Sequence, residues 1–174
     1  MDFKEKTINK NYLYKGKILS LCRDEVLLPN GKTAIRETVE HSGGSAILCE
    51  RDNKILLVKQ FRYPYGEVLY EIPAGKLNAG EDPAITAIRE LEEEGGVKAE
   101  RVVKMFDVYP TPAYTNEIIR VYRAENIKDT AMHLDEDEFL TGEWIEKDRL
   151  KEMIKNGEIK DAKTLVALLS VLDR

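Results

Sequence analysis

The segment DPAITAIRELEEEGG, Asp82–Gly96, constrains this chain more than any other stretch. Asp82 followed by Pro83 reads as a helix start. An aspartate side chain accepts from the free N–H groups of a first turn, and proline at the first helical position lacks an N–H that would go unpaired anyway. The helix is expected to run to about Glu94, where Gly95 or Gly96 closes it, because glycine enters the left-handed conformation without steric cost. At about 100° per residue, Ala84, Ile85, Ala87, Ile88 and Leu91 gather on one side, and Glu90, Glu93 and Glu94 on nearly the opposite side. The apolar side needs a layer to lie against.

The charges of this helix are in the wrong place for stability. The helix dipole is negative at its C-terminus, and carboxylates three and four residues apart repel, each effect costing on the order of tenths of a kcal/mol. A hard divalent cation relieves both, since Mg²⁺ or Mn²⁺ takes carboxylate, carbonyl and water oxygens and shares itself with substrate phosphates. The competing reading is a solvated acidic face, the common fate of an arbitrary glutamate cluster.

The rest of the pattern supplies a sheet for the helix. Tyr12–Tyr14, Lys17–Leu28 and Ala34–His41 are rich in β-branched, aromatic and alternating apolar residues, with an Asn-Gly hairpin turn in PNGK (Pro29–Lys32). Ser45–Glu50 and Lys54–Phe61 flank the turn RDN as a second hairpin, and ILLV within the latter is apolar on both faces, as in a central strand. Val68–Pro73 is a short extended run, followed by AGKLNAGED, too rich in Gly and Asn to be regular. Strands are expected at Arg101–Val108, Glu117–Ala124 and Gly142–Ile145, with Trp144 packing the core near the last of them, and helices at Lys147 to about Asn156 and Ala162–Leu172. Hairpins mixed with one central and two terminal helices read as α/β or α+β with a mixed sheet.

A chain of 174 residues, 43% apolar, suits a single domain, and its net charge of -5 argues against nucleic acid or an anionic membrane as the main partner. Its two cysteines, Cys22 and Cys49, form no CxxC and have no histidine at ligand spacing, so neither a zinc site nor a disulfide framework is indicated and a reduced cytosol fits. The charged N-terminus and the absence of a run of about eighteen apolar residues indicate neither a signal peptide nor a membrane span. The lone His41 and His133 read as packing or surface residues.

The residues upstream of the helix change the weight of the acidic cluster. Gly75, Glu81, Arg89-Glu90, the aliphatic Leu91, Glu93-Glu94, Gly96 and the aliphatic Val97 occur at the spacing of the Nudix box at each of its fixed positions. The chain thus resembles the Nudix hydrolases, and the resemblance extends across most of its length. It implies a Nudix-type α/β/α sandwich with a mixed sheet, preceded by an N-terminal antiparallel β segment, and Mg²⁺-dependent hydrolysis of a nucleoside diphosphate linked to another moiety, with Mn²⁺ able to substitute. By the family pattern Glu90, Glu93 and Glu94 bind metal with the backbone carbonyl of Ala74, Glu93 also counting as catalytic. Gly75, Glu81, Arg89 and Gly96 shape the box, Arg89 by orienting a glutamate.

QFRYP (Gln60–Pro64), YEIPAGK (Tyr70–Lys76) and YPTPAYTNE (Tyr109–Glu117), with Pro112 fifteen residues after Val97, resemble the ADP-ribose pyrophosphatase branch. That likeness implies cleavage of ADP-ribose to AMP and ribose 5-phosphate. Arg62, which as an arbitrary strand-end arginine could be a surface charge, becomes a fork for phosphate oxygens. Tyr63 and Tyr14 offer aromatic faces to adenine, and Pro112 lines the substrate site. In the acidic run LDEDEF (Leu134–Phe139), Glu138 is the first choice and Glu136 the second for a base acting on the attacking water. Residues 1–42 would form a β-rich dimerisation and pocket element and 43–174 the hydrolase domain, giving a cytoplasmic homodimer. Another nucleoside diphosphate derivative, such as a nucleotide sugar, is the nearest alternative. A nucleotide-sensing module without catalysis is a more distant one, since such modules typically lose the box glutamates that this chain retains.

Overall fold

The computed structural model of the chain describes residues 2–136 and 138–172. Its contacts divide into two units. The first joins the residues through Gly43 with Tyr109–Ile118. Here β1 (Lys6–Asn9), β2 (Tyr12–Lys15), β3 (Leu19–Leu27) and β4 (Thr33–His41) form an antiparallel sheet in which β3 pairs with the other three. The alternating pattern gave no sign of β1, because Lys6–Asn9 holds a single apolar residue and gains its order from the hydrogen bonds of β3. The β3–β4 hairpin is present and turns through Pro29–Gly31, with Leu28 N–H donating to Lys32 O at 2.8 Å. The later segment adds to β4: Val39 N–H donates to Tyr114 O (2.7 Å), Asn116 N–H to Val39 O (3.2 Å) and His41 N–H to Asn116 Oδ1 (2.9 Å).

The second unit comprises Gly44–Val108 and the residues from Ile119 onward. Its elements are β5 (Gly44–Leu48), β6 (Glu50–Arg51), β7 (Lys54–Arg62), β8 (Glu67–Glu71), β9 (Ala74–Lys76), α1 (Pro83–Gly95), β10 (Val97–Val108), β11 (Ile119–Asp129), β12 (Leu140–Glu146), α2 (Lys147–Lys155) and α3 (Ala162–Leu172). One sheet has the order β10-β11-β5-β9 and is mixed, since β5 runs parallel to β11 and antiparallel to β9. The other is antiparallel, with β7 paired to β12, β6 and β8.

Alternation along β5 and β7 builds the layers. Successive strand residues point to opposite faces, and here both faces are covered. Ala46, Leu48, Ile55 and Leu57 join one buried cluster with Leu150 and Met153 of α2 and Ala167, Leu168 and Leu172 of α3. Ile47, Cys49 and Leu56 join a second cluster with Ala87 and Leu91 of α1. The result is an α/β/α sandwich, and it explains why Ile55–Val58 is apolar without a break. Trp144 packs against the α1-side cluster and lies under the Arg51 guanidinium, 4.5 Å from its ring centre.

The expected hairpin between Ser45–Glu50 and Lys54–Phe61 is only partly formed. Glu50 and Arg51 pair with β7 across Asp52 and Asn53, whose φ values of 50° and 63° make a two-residue hairpin turn. Gly44–Leu48 instead serves the other sheet. A strand that is apolar on both faces carries no preference for either layer, so its pattern does not select its partners. The Gly- and Asn-rich stretch after Pro73, expected to be irregular, contains β9, which completes the edge beside β5.

The helix α1 has the expected ends. Asp82 accepts from Ala84 N–H at 2.7 Å, and Gly96, with φ 61°, donates to Glu92 O at 3.2 Å. Leu91 is fully buried and contributes about 2 kcal/mol by its removal from water. The helix is nevertheless rotated from its expected setting. Thr86, Ala87, Glu90, Leu91 and Glu94 form its buried face, whereas Ile85 is 58% exposed. The carboxylates Glu90 and Glu94 share the sheet side with Leu91. Among the described residues no helix is long and apolar enough to cross a membrane.

Candidate active site

Three elements of the second unit bring the candidate acids together. The turn from Pro73 into β9 faces α1, and Ala74 N–H donates to Glu94 Oε2 at 2.9 Å. At the next residue there is no room for a side chain, because a Cβ on Gly75 would overlap the Glu90 carboxylate. Glycine is therefore what lets Glu90 keep this position. Arg89 ties the remaining box acids to one another: its Nη1 lies 2.8 Å from Glu90 Oε1 and 2.7 Å from Glu93 Oε2, and its Nε lies 3.2 Å from Glu81 Oε1. Glu81 also accepts from Asn78 N–H at 3.1 Å, fastening the loop before α1 to the helix.

The charge problem at the end of α1 is thus met residue by residue, but incompletely. Glu92 is half-buried and 3.3 Å from the Lys98 ammonium. Burial pushes the Glu90 carboxyl up to about 7, with the Arg89 charge opposing and the Glu93 charge adding. Burial pushes Glu94 up to about 8, opposed by the Ala74 N–H and reinforced by the charges of Glu90 and Glu138. Burial alone would lower the Arg89 pKa, but Glu81, Glu90 and Glu93 together raise it. Two buried acids that retain protons near neutrality fit a dication: their oxygens are hard donors, and a doubly charged ion among them removes both the desolvation penalty and the repulsion. Among the described residues no three acidic, histidine or cysteine groups are already gathered as a ligand set. Glu93 turns its Oε2 toward Arg89, and Glu94 its Oε2 toward Ala74 N–H.

Within LDEDEF, Asp137 lies outside the described residues. Glu138 is an acid of this run whose charge both Glu90 and Glu94 feel. Arg62 ends β7 with one edge engaged, its Nε and Nη2 donating to Glu71 Oε1 and Oε2 at 2.6 and 2.7 Å. Tyr63, in the following turn, is 89% exposed. Pro112 and Tyr14 belong to the first unit.

Two features escaped the sequence reading. Glu71 is buried between Arg62 and the equally buried Lys163 of α3, yet a single Glu in VLYEIP and a single Lys in a terminal helix carry no periodic signal. The outward rotation of Ile85 and Ile88 opens a cavity of about 320 Å³ that they line with Arg89, Glu92, Glu93 and His133. Neither Glu90 nor Glu94 lines it.

The NUDIX domain model matches residues 33–168, and the model for the nucleoside diphosphate sugar hydrolase N-terminal domain matches residues 5–39. The chain is 42% identical over 167 residues to an ADP-ribose pyrophosphatase of Bacillus subtilis, covering 94% of this chain and 90% of that one. It is 41% identical over 169 residues to a methanol dehydrogenase activator of Bacillus methanolicus, covering 95% and 91%. In fold it superimposes on a crystal structure of an ADP compounds hydrolase with a TM-score of 0.86 at 17% identity, covering 99% and 95% of the two chains.

Proposed function

This chain belongs to the NUDIX family, and on that premise we propose that it is a Mg²⁺-dependent pyrophosphohydrolase that cleaves ADP-ribose to AMP and ribose 5-phosphate. The observation that carries the reading is the buried Glu90–Glu94 pair over Gly75, a carboxylate site short of positive charge, in a chain similar to a pyrophosphatase of that substrate. Glu90, Glu93, Glu94 and the Ala74 carbonyl hold the cation. When bound, Mg²⁺ supplies Lewis-acid polarisation of the diphosphate and neutralises its charge.

The chain's own groups do the rest. Water adds to one phosphorus while the bridging P–O bond breaks, and Glu138 takes the water proton, with Glu136 the second choice. Arg62 holds a phosphate oxygen with the donors that Glu71 leaves free. Tyr63 offers its exposed ring to the base. Arg89 keeps Glu93 and Glu90 in line, and Glu81 holds Arg89.

The protein works as a homodimer in the cytoplasm, where the buried thiols Cys22 and Cys49 stay reduced. Its first unit supports the dimer by exposing Ile8, Leu13, Tyr14, Ile18 and Ile35, an apolar set that a second copy would cover. Light scattering that finds a stable monomer removes that part of the proposal. A nucleoside diphosphate sugar is the second substrate reading, favoured by the match over residues 5–39. Purified protein with Mg²⁺ is expected to hydrolyse ADP-ribose faster than ADP-glucose, GDP-mannose, NADH or diadenosine compounds. An equal or higher kcat/KM on any of these defeats the specific assignment.

A further inference from the structure

Lys163 presents a puzzle of burial. It is 6% exposed at the start of α3, and lysine is almost never so deeply buried without a partner. Buried ion pairs add little net stability over apolar packing of the same volume. Its contacts, however, lead step by step to the candidate site. The Lys163 ammonium pairs with Glu71 Oε2 and lies 3.0 Å from Asp161 Oδ2. Asp161 also accepts from the Thr164 N–H (2.9 Å) and hydroxyl (2.6 Å), and the Thr164 oxygen accepts from Ile72 N–H at 2.9 Å. The start of α3 is thereby fixed to Ile72, which follows Glu71 and lies two residues before Ala74.

Glu71 in turn grips Arg62. Burial pushes the Glu71 carboxyl up, but the Arg62 hydrogen bonds and the Lys163 and Arg62 charges outweigh it and hold the group at about 2. The grip uses Nε and Nη2 of a guanidinium that has five N–H donors. The other three find no acceptor among the described residues. Arg62 and Glu94 feel each other's charge, so the guanidinium stands at the margin of the carboxylate cluster. With Glu71 as its sole partner the arginine would be neutralised. Lys163, itself shared with Asp161, takes up part of the Glu71 charge, so Arg62 is only partly neutralised while three of its N–H donors stay open.

We propose that Glu71 and Lys163 are positioning residues, which hold one edge of Arg62 so that its other edge meets an oxygen of the substrate diphosphate. The inference rests on the hydrolase reading above. An arginine already fixed by one edge loses little freedom when the phosphate arrives, and that saving appears in binding.

The test combines Lys163→Met and Glu71→Gln with Arg62→Ala. Each of the first two is expected to raise KM about tenfold while kcat changes by less than about threefold, the mark of lost ground-state binding. In the Arg62→Ala background, adding either substitution is expected to change KM by less than about twofold, because residues acting through Arg62 have nothing left to position. An undiminished KM effect in that background, or wild-type KM in the single variants, overturns the proposal. Should Lys163→Met fail to fold, Glu71→Gln, which removes the charge and one of the two acceptor oxygens, decides alone. Side-chain NMR separates this outcome from the substrate assignment. The Arg62 Nε–H signal is expected to be protected from exchange in the wild type, lost in Glu71→Gln, and shifted by ADP only where the grip is intact. Protection that survives Glu71→Gln refutes the grip whatever the enzyme hydrolyses.

Discussion

Replacing Glu94 by Gln is expected to stabilise the metal-free protein at alkaline pH while abolishing turnover. Glu94 is 3% exposed, and its carboxyl is raised from 4.5 to about 8, chiefly by burial. An acid whose pKa is higher in the folded state stabilises the fold while it keeps its proton. That contribution is complete below about 4.5 and is lost as the pH rises through about 8. The gap, at about 1.4 kcal/mol per pH unit, sets an upper limit on the order of 5 kcal/mol for ionising the group in place. Side-chain movement and water entry reduce such penalties, and about 2 kcal/mol is a working value. Glutamine never ionises, and its oxygen can still accept from Ala74 N–H. At about 2–4 °C per kcal/mol for a chain of this size, Tm in EDTA should rise by about 4–8 °C at pH 8.5 and stay unchanged at pH 5. Saturating Mg²⁺ should reverse the order, since ligand binding stabilises the protein that holds it more tightly. Calorimetry in the two buffers measures both effects. A variant with equal or lower Tm in EDTA at pH 8.5 refutes the claim that the carboxylate cluster is a buried-charge penalty awaiting a cation.

Three further substitutions separate the roles within the site. Gly75→Ala should fold, because the group it meets is the mobile end of Glu90, but Mg²⁺ affinity by titration calorimetry should fall at least about tenfold as Glu90 is displaced; unchanged affinity would remove Glu90 from the ligand set. Glu138→Gln should lower kcat by about 10²–10⁴ with an unchanged melting curve, whereas Glu136→Gln should stay within about threefold; the reverse ranking in steady-state assays transfers the base to Glu136. Glu92→Gln should leave kcat/KM within about twofold and cost at most about 0.5 kcal/mol on denaturant unfolding, since its Lys98 partner is an exposed group; a larger loss of activity would give Glu92 a part in the chemistry.

Local chemistry was legible in the sequence and partner choice was not. The limits of α1 could be read because Asp82 and Gly96 act on backbone groups within a few residues, and the box spacing named Gly75, Glu81, Arg89, Glu90, Glu93 and Glu94 for the same local reason. The rotation of α1 was misjudged because hydrophobicity alone assigns Ile85 and Ile88 inward and the glutamates outward. The structure turns the carboxylates onto β9, where the Ala74 N–H and the space over Gly75 receive them. Gly44–Leu48 went to an unforeseen sheet because, apolar on both faces, it fits either. The grip of Glu71 on Arg62 joins residues nine positions apart on adjacent strands, and Lys163 comes from 92 residues beyond Glu71. Charges so separated in sequence look like ordinary surface residues until the chain is folded.

The thread of Tyr109–Ile118 through the first unit bears on how the protein is made. The edge of β4 is completed only by Tyr114 and Asn116, so four strands synthesised first must wait for a segment that ends 75 residues after Gly43 (118 minus 43). At roughly 5–20 residues per second that is a delay of about 4–15 s. During it the β4 edge of the nascent N-terminal sheet stands open, the interval in which a ribosome-bound chaperone has most to protect.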